Sequence, residues 1–281
     1  MSVNYSEVVD VARDYYNSDD ADNFYFQVWG GEDIHIGLYE SDDEPISIAS
    51  ERTVATMANR ISQSMVGARV ADLGAGYGGS ARWLARHLSC HVACVNLSEV
   101  QNARNRAMNR AAQLEDRIDV LDASFERVPL PDAEFDVVWS QDSFLHSGDR
   151  SQVLSEVDRI LRPGGEFIFT DPMQADDCAP GSLQPVLDRI KLDSLASPGF
   201  YRREAQQLGW QELGFDDLTH QLVEHYTRVR QELAIRRDEL LESVSGDYID
   251  RMITGLGHWI DAGDRGLLRW GIFHFRKPLR D

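Results

Sequence analysis

Lysine is nearly absent from this 281-residue chain. It occurs only at Lys191 and Lys277, while Asp and Glu total 47 and the formal net charge is −19. A surface so negative excludes nucleic acid and anionic membrane as expected partners. Cysteine is scarce too: Cys90, Cys94 and Cys178 form no Cys-x-x-Cys pair and read as small core residues rather than metal or redox groups. The histidines form no ligand constellation either, so no metal is expected. No apolar run is long enough to span a membrane, and the first residues carry no signal-type core, so a cytoplasmic protein is expected. Repeats and low-complexity tracts are also missing. Acidic surfaces with little lysine fit salt-adapted cells, where ionic strength screens self-repulsion. An acidic protein from a GC-rich genome would also favour arginine, and both readings stand.

What is present is a regular alternation of strand and helix. Strands are expected at Arg69–Leu73, His91–Val95, Ile118–Leu121, Phe135–Ser140 and Glu166–Thr170, with helices at Ser80–Leu88, Ser98–Leu114 and Arg150–Leu161. Such units make a parallel sheet with helices on both faces. Before them lie a helical pattern over Val3–Tyr16, an aromatic and glycine-rich stretch and a helix over Ile46–Met65. After Asp171 the rhythm breaks. Helices are expected over Leu183–Leu195 and Tyr201–Leu208, then a strand over Trp210–Asp217 and a helical region from His220 to Ile260. A β-rich run at Leu267–Phe275 closes the chain. The expected organisation is an N-terminal cap (1–65), a cofactor-binding core (66–172), a lid insertion with late sheet elements (173–260) and a closing strand (261–281).

The most informative stretch is Val70 to Gly79, Val-Ala-Asp-Leu-Gly-Ala-Gly-Tyr-Gly-Gly. A strand runs into a glycine turn and a helix N-terminus, the usual place for a nucleotide-like ligand. The glycine spacing alone also fits a dinucleotide fingerprint. Three motifs together decide otherwise. Asp72-Leu73-Gly74-Ala75-Gly76-Tyr77-Gly78, Phe135-Asp136-Val137-Val138-Trp139-Ser140 and Leu161-Arg162-Pro163-Gly164-Gly165 resemble, in order, the motifs of class I S-adenosylmethionine-dependent methyltransferases. The resemblance implies a Rossmann-like fold. Its sheet would be mostly parallel and seven-stranded, with helices on both faces and a helical lid inserted after strand 5.

The same resemblance assigns cofactor contacts. Gly74, Ala75 and Gly76 would cradle the methionine part and Asp72 its amino end. Asn96, Leu97 and Gln101 would meet the ribose hydroxyls. Asp122, Ala123, Ser124 and Phe125 would hold the adenine, with Gln141 also at the site. At Asn96 many such enzymes carry an acid, and here an uncharged amide stands in its place.

Further segments narrow the family. Tyr15-Tyr16-Asn17, Trp29-Gly30-Gly31 and Ile34-His35-Ile36-Gly37-Leu38-Tyr39 resemble the N-terminal part of small-amine N-methyltransferases. Ser140-Gln141-Asp142-Ser143-Phe144-Leu145-His146 is similar to a segment of phosphoethanolamine methyltransferases. As a whole, with Phe169-Thr170-Asp171-Pro172-Met173, the chain looks most like sarcosine/dimethylglycine N-methyltransferases, which complete glycine betaine synthesis. The resemblance implies Tyr16 as gate and proton relay, His146 as its partner or base, and Asp142 as a contact to the amine. Arg189 would meet the substrate carboxylate, as guanidinium forks do. Trp29, Tyr39, Tyr201 and Trp259, with His35 and Met173, are candidate walls for the methylated amine, since aromatic faces stabilise quaternary ammonium. The expected partner is a small amine or amino acid, bound by a monomer or weak dimer.

Overall fold

The computed structural model describes residues 13–29 and 31–279. Of the helix expected over Val3–Tyr16, residues 3–12 lie outside that range, and 13–16 are helical. The core is a seven-stranded sheet in the order β3-β2-β1-β4-β5-β9-β7. Its strands are β1 (Arg69–Leu73), β2 (His91–Asn96), β3 (Ile118–Asp122), β4 (Phe135–Gln141), β5 (Leu161–Thr170), β7 (Gln211–Asp217) and β9 (Gly271–Arg276). Two short strands, β6 (Met173–Gln174) and β8 (Leu268–Arg269), pair apart from it. β1 to β5 run parallel, while β9 runs antiparallel to both β5 and β7. This is the mostly parallel, seven-stranded sheet that the motifs imply. All seven residues of β4 are buried, as a central strand covered on both faces requires.

The helices are α1 (Asp19–Val28), α2 (Ile46–Ala58), α3 (Gly79–Leu88), α4 (Glu99–Ala111), α5 (Arg150–Ile160), α6 (Gln184–Ile190), α7 (Pro198–Gln207), α8 (Thr219–Ile235), α9 (Arg237–Leu240) and α10 (Gly246–Asp264). Local chemistry starts several of them. Ser18, Ser98, Asp149, Ser197 and Ser245 each accept a backbone N–H of the first turn.

Three sequence expectations are corrected and one is refined. The helix expected to reach Met65 stops at Ala58. The one expected to reach Leu195 stops at Ile190, where Lys191 takes a left-handed φ of 54°. The region from His220 to Ile260 is three helices, α8 to α10, because Ser245 caps a fresh start. Residues 162–165, expected as a turn, sit inside β5. Phe135 pairs with Leu161 and Val137 with Glu166, so the Pro163-Gly164 pair bulges out of the ladder.

One hydrophobic cluster joins α1, α6, α8 and α10, with Trp29, Tyr77 and Trp270 in it. α6, α8 and α10 therefore pack on the N-terminal segment, while α7 packs in the sheet-side core. Among the described residues no helix is long and apolar enough to cross a membrane.

Candidate active site

β1 ends in Asp72-Leu73, and the chain then turns through Gly74 (φ 83°) and Gly76 (φ 52°). Left-handed backbone favours glycine here. A side chain at 74 would also strike Ser143, and one at 76 would press on Ile34 Cδ1 at 3.0 Å. The turn leaves a cleft walled by Gly74, Gly76, Asn96, Leu97, Gln101, Ser124, Phe125 and Gln141, with Arg13, Tyr16 and Ile34 across from them. Asn96 Nδ2 donates to Gln101 Oε1 at 3.0 Å, and Gln101 Nε2 is buried without a partner. That spare amide donor suits a ribose hydroxyl. Asp72 and Ala75 line a smaller adjoining cavity, where Asp72 Oδ2 is also orphaned. Buried polar atoms without partners are uncommon. An adenosyl amino acid, with hydroxyls along its middle and an ammonium at its end, satisfies both. The residues present therefore fit S-adenosylmethionine.

Two of the expected cofactor residues are not on these walls. Asp122, expected on the adenine amino group, accepts Asn102 Nδ2 at 2.7 Å and pairs with Arg106 at 2.7 Å. Those partners draw its carboxylate off the cleft. Ala123 packs into the core beneath.

Burial raises Asp72 from an ordinary 3.8 to about 7; nearby His35 opposes the shift and Asp33 adds to it. The fold then holds the proton more tightly than the unfolded chain does, so stability is lost as pH rises from about 4 through about 7. Asp72→Asn removes that penalty. At pH 8 the ligand-free variant is expected to melt several degrees above the wild type, while its Kd for S-adenosylhomocysteine rises at least tenfold. Melting curves with and without ligand check both; a lower ligand-free Tm at pH 8 would contradict the assignment.

Beside the cofactor cleft lies a second cleft of about 1370 Å³, larger than the roughly 300–1,000 Å³ usual for one ligand. Its inner end is aromatic, with Tyr16, Tyr25, Trp29, Tyr226, Tyr248 and Trp259 on the wall. The hydroxyls of Tyr15 and Tyr248 meet at 2.9 Å, and those of Tyr15 and Tyr25 at 3.3 Å. Arg189 reaches into this cluster from α6. Its Nη2 touches Met252 Sδ at 3.6 Å, and its buried Nε has no partner. Among the described residues no carboxylate pairs with it. Trp259 Nε1 on the same wall is likewise buried and unpartnered. The acceptor cleft thus offers two free donors within an aromatic shell.

The two clefts meet. Tyr16, Ile34, Asp142 and His146 wall both of them. Tyr16 OH lies 2.9 Å from His146 Nε2, the rings edge to face. Burial, aided by Arg150 and Arg189, lowers His146 to about 4, and burial raises the Tyr16 phenol. At neutral pH this is a neutral imidazole against a phenol. Asn17 ties Tyr16 down, accepting from Ser98 Oγ at 2.7 Å and donating to Glu99 at 2.9 Å. Asp171 steadies the turn before His146 by accepting Leu145 N–H at 3.0 Å.

Asp142 sits at the end of β4 in a left-handed conformation, φ 50°. It accepts Ile36 N–H at 2.6 Å and Trp270 Nε1–H at 2.7 Å. Both oxygens are engaged, so it anchors the N-terminal strap as well as facing the clefts. Four expected wall residues lie elsewhere, His35 among them in the small cavity that Asp72 lines. Tyr39 bonds His225 Nδ1 at 2.9 Å, Tyr201 donates to Asp171 at 2.7 Å, and Met173 is fully buried in the sheet-side core. Tyr15, Tyr25, Tyr226 and Tyr248 take their place. Tyr15 and Tyr25 lie in the N-terminal segment that the resemblance covers, whereas Tyr226 and Tyr248 stand alone, with no pattern by which sequence reasoning could have grouped them.

With this geometry in hand, comparison with known proteins is informative. Residues 71–169 match the family model described as a methyltransferase domain. A sarcosine/dimethylglycine N-methyltransferase of Halorhodospira halochloris is 56% identical over 99% of this chain and 100% of its own length. The chain belongs to the sarcosine/dimethylglycine N-methyltransferase family. A namesake from Aphanothece halophytica is 55% identical, covering 95% of this chain and 96% of that one. A crystal structure from Galdieria sulphuraria, provisionally assigned as a sarcosine dimethylglycine methyltransferase, superposes with a TM-score of 0.89. It is 43% identical and covers 95% of this chain and all of its own. The family expected from the motifs holds over 99% of the chain, and the expected fold holds over the described residues.

Proposed function

We propose that this protein methylates sarcosine and dimethylglycine, ending at glycine betaine, with S-adenosylmethionine as methyl donor. One observation carries the reading. A cleft suited to an adenosyl amino acid and a cleft with an unpaired arginine share a wall made of Tyr16, Ile34, Asp142 and His146. When bound, the cofactor supplies a sulfonium methyl whose carbon the amine lone pair attacks in line with the leaving sulfur. Arg189 takes the acceptor carboxylate and Trp259 Nε1 is placed to add a donor. Trp29, Tyr16 and Tyr25 surround the nitrogen and favour it as it becomes quaternary. Tyr16 and His146 close the roof between the clefts and keep water from the methyl group.

Proton removal follows from the same electrostatics. An aliphatic amine is mostly protonated at pH 7, by analogy with lysine near about 10.4. Removal from water disfavours the protonated amine, so it sheds its proton as it is desolvated. His146, near 4, is too weak a base to drive that step and serves as a relay. At saturating cofactor, kcat/KM for dimethylglycine is therefore expected to rise about tenfold per pH unit from pH 6 toward the amine's own range. An inflection between pH 6 and 7 that vanishes in His146→Ala would contradict this.

A monomer or weak dimer, working in the cytoplasm, completes the proposal. The decisive assay supplies isotope-labelled S-adenosylmethionine with glycine, sarcosine, dimethylglycine or phosphoethanolamine. Labelled betaine from dimethylglycine is expected; transfer to phosphoethanolamine alone would overturn the acceptor.

A further inference from the structure

The strap Glu32-Asp33-Ile34-His35 runs close over the glycine turn. A side chain at Gly79 would collide with the Asp33 carboxylate and the Glu32 carbonyl. Between strap and turn is the small cavity that Asp72 lines, next to the cofactor cleft and sharing Ile34, Gly74 and Gln141 with it. Three of its side chains are at least nine-tenths buried, and each keeps one polar atom without a hydrogen-bond partner. These atoms are Asp72 Oδ2, His35 Nε2 and Gln141 Nε2.

Their orientations are set from behind. Gln141 Oε1 accepts from Ser80 Oγ at 2.6 Å and from Trp139 Nε1 at 2.9 Å, which leaves its NH2 for the cavity. His35 Nδ1 faces the Ile36 carbonyl at 3.3 Å, so its proton sits there. His35 Nε2 forms a long ion pair with Asp33 Oδ1 at 3.3 Å and has no closer hydrogen-bond partner. Burial works to deprotonate this ring, but Asp33 and then Asp142 outweigh it and raise its pKa. Of the other charged neighbours, Glu32 is paired with Arg82 at 2.8 Å, and burial keeps His225 neutral, near 3. The cavity therefore presents a carboxyl oxygen, an imidazole nitrogen and an amide donor, each without a close hydrogen-bond partner. Water alone would have to serve three chemically different groups at once. An α-amino acid carries its ammonium and carboxylate on one carbon and serves all three.

We propose that His35 binds the α-carboxylate of the cofactor's amino-acid end through Nε2, with Gln141 Nε2 as a second donor and Asp72 on the α-ammonium. This rests on the S-adenosylmethionine reading above. Asp33, 3.3 Å from Nε2, is a positioning residue that favours the protonated imidazole.

Calorimetry on the full chain tests it with three ligands. They are S-adenosylhomocysteine, its decarboxylated analogue and 5′-methylthioadenosine, which lacks the amino-acid end. The wild type is expected to bind S-adenosylhomocysteine at least tenfold more tightly than the decarboxylated analogue. In His35→Gln that preference shrinks to about twofold, while methylthioadenosine affinity stays within twofold of wild type. Equal affinity of the wild type for the first two ligands overturns the assignment, and this arm needs no variant to fold. Equal weakening of all three ligands in His35→Gln, a purely structural effect, overturns it as well. If the wild type binds none of the three, the S-adenosylmethionine reading itself falls.

Discussion

Arg189→Ala lowers kcat/KM for dimethylglycine by about 10²–10³-fold and leaves the Kd for S-adenosylhomocysteine within twofold. The size follows from what the substitution removes. Breaking a buried charge pair costs about 2–5 kcal/mol, because the partner charge is left buried and unpaired. Each 1.36 kcal/mol is a factor of about ten in rate. Arg189 is the natural partner for the acceptor carboxylate, since its Nε is orphaned in the cleft and no carboxylate of the described chain pairs with it. The loss should appear mainly in KM, because the carboxylate is held equally in ground and transition state. Arg189→Lys restores the charge but not the planar fork, so partial rescue is expected. Initial-rate kinetics on both variants check this. An Arg189→Ala enzyme with unchanged KM would remove the arginine from the acceptor site.

His146→Ala lowers kcat by about 10²-fold, in the range of a single positioned proton-handling group. Tyr16→Phe loses about 10-fold, and the double variant is little worse than His146→Ala. The reasoning is that Tyr16 and His146 act as one unit, joined at 2.9 Å on the wall the clefts share. Groups that act together give non-additive losses. Cofactor affinity should fall only a few-fold, because Gly74, Asn96 and Gln101 hold the remainder of that ligand. A double-variant cycle in kcat, with Kd measured in parallel, separates the two effects. Full activity in both single variants would show that the pair is packing.

The nucleotide-binding half was legible in the sequence because its constraints are local. Asp72, the glycines of the turn and Asn96 lie at strand ends, where spacing alone fixes their place over the sheet. Tyr16 and His146 were legible only through resemblance, being 130 residues apart in sequence. Asp122 shows how a motif residue also serves the fold, since Asn102 and Arg106 engage its carboxylate. Tyr39, Met173 and Tyr201 mark a limit. An aromatic or sulfur side chain near a site is as useful for packing a strap or a core as for lining a cleft. Tyr201 in fact serves indirectly, through Asp171 to the turn before His146. The tyrosine shell round Arg189 depends on α1, α8 and α10 packing together. That is tertiary information which no window of sequence contains.

The most direct test is a crystal structure of the full chain with S-adenosylhomocysteine and dimethylglycine. The account predicts the amine facing the sulfur between Tyr16 and His146, with the carboxylate on Arg189 Nε. Dimethylglycine bound elsewhere in the cleft, with Arg189 free and the sulfur facing another acceptor position, would contradict it.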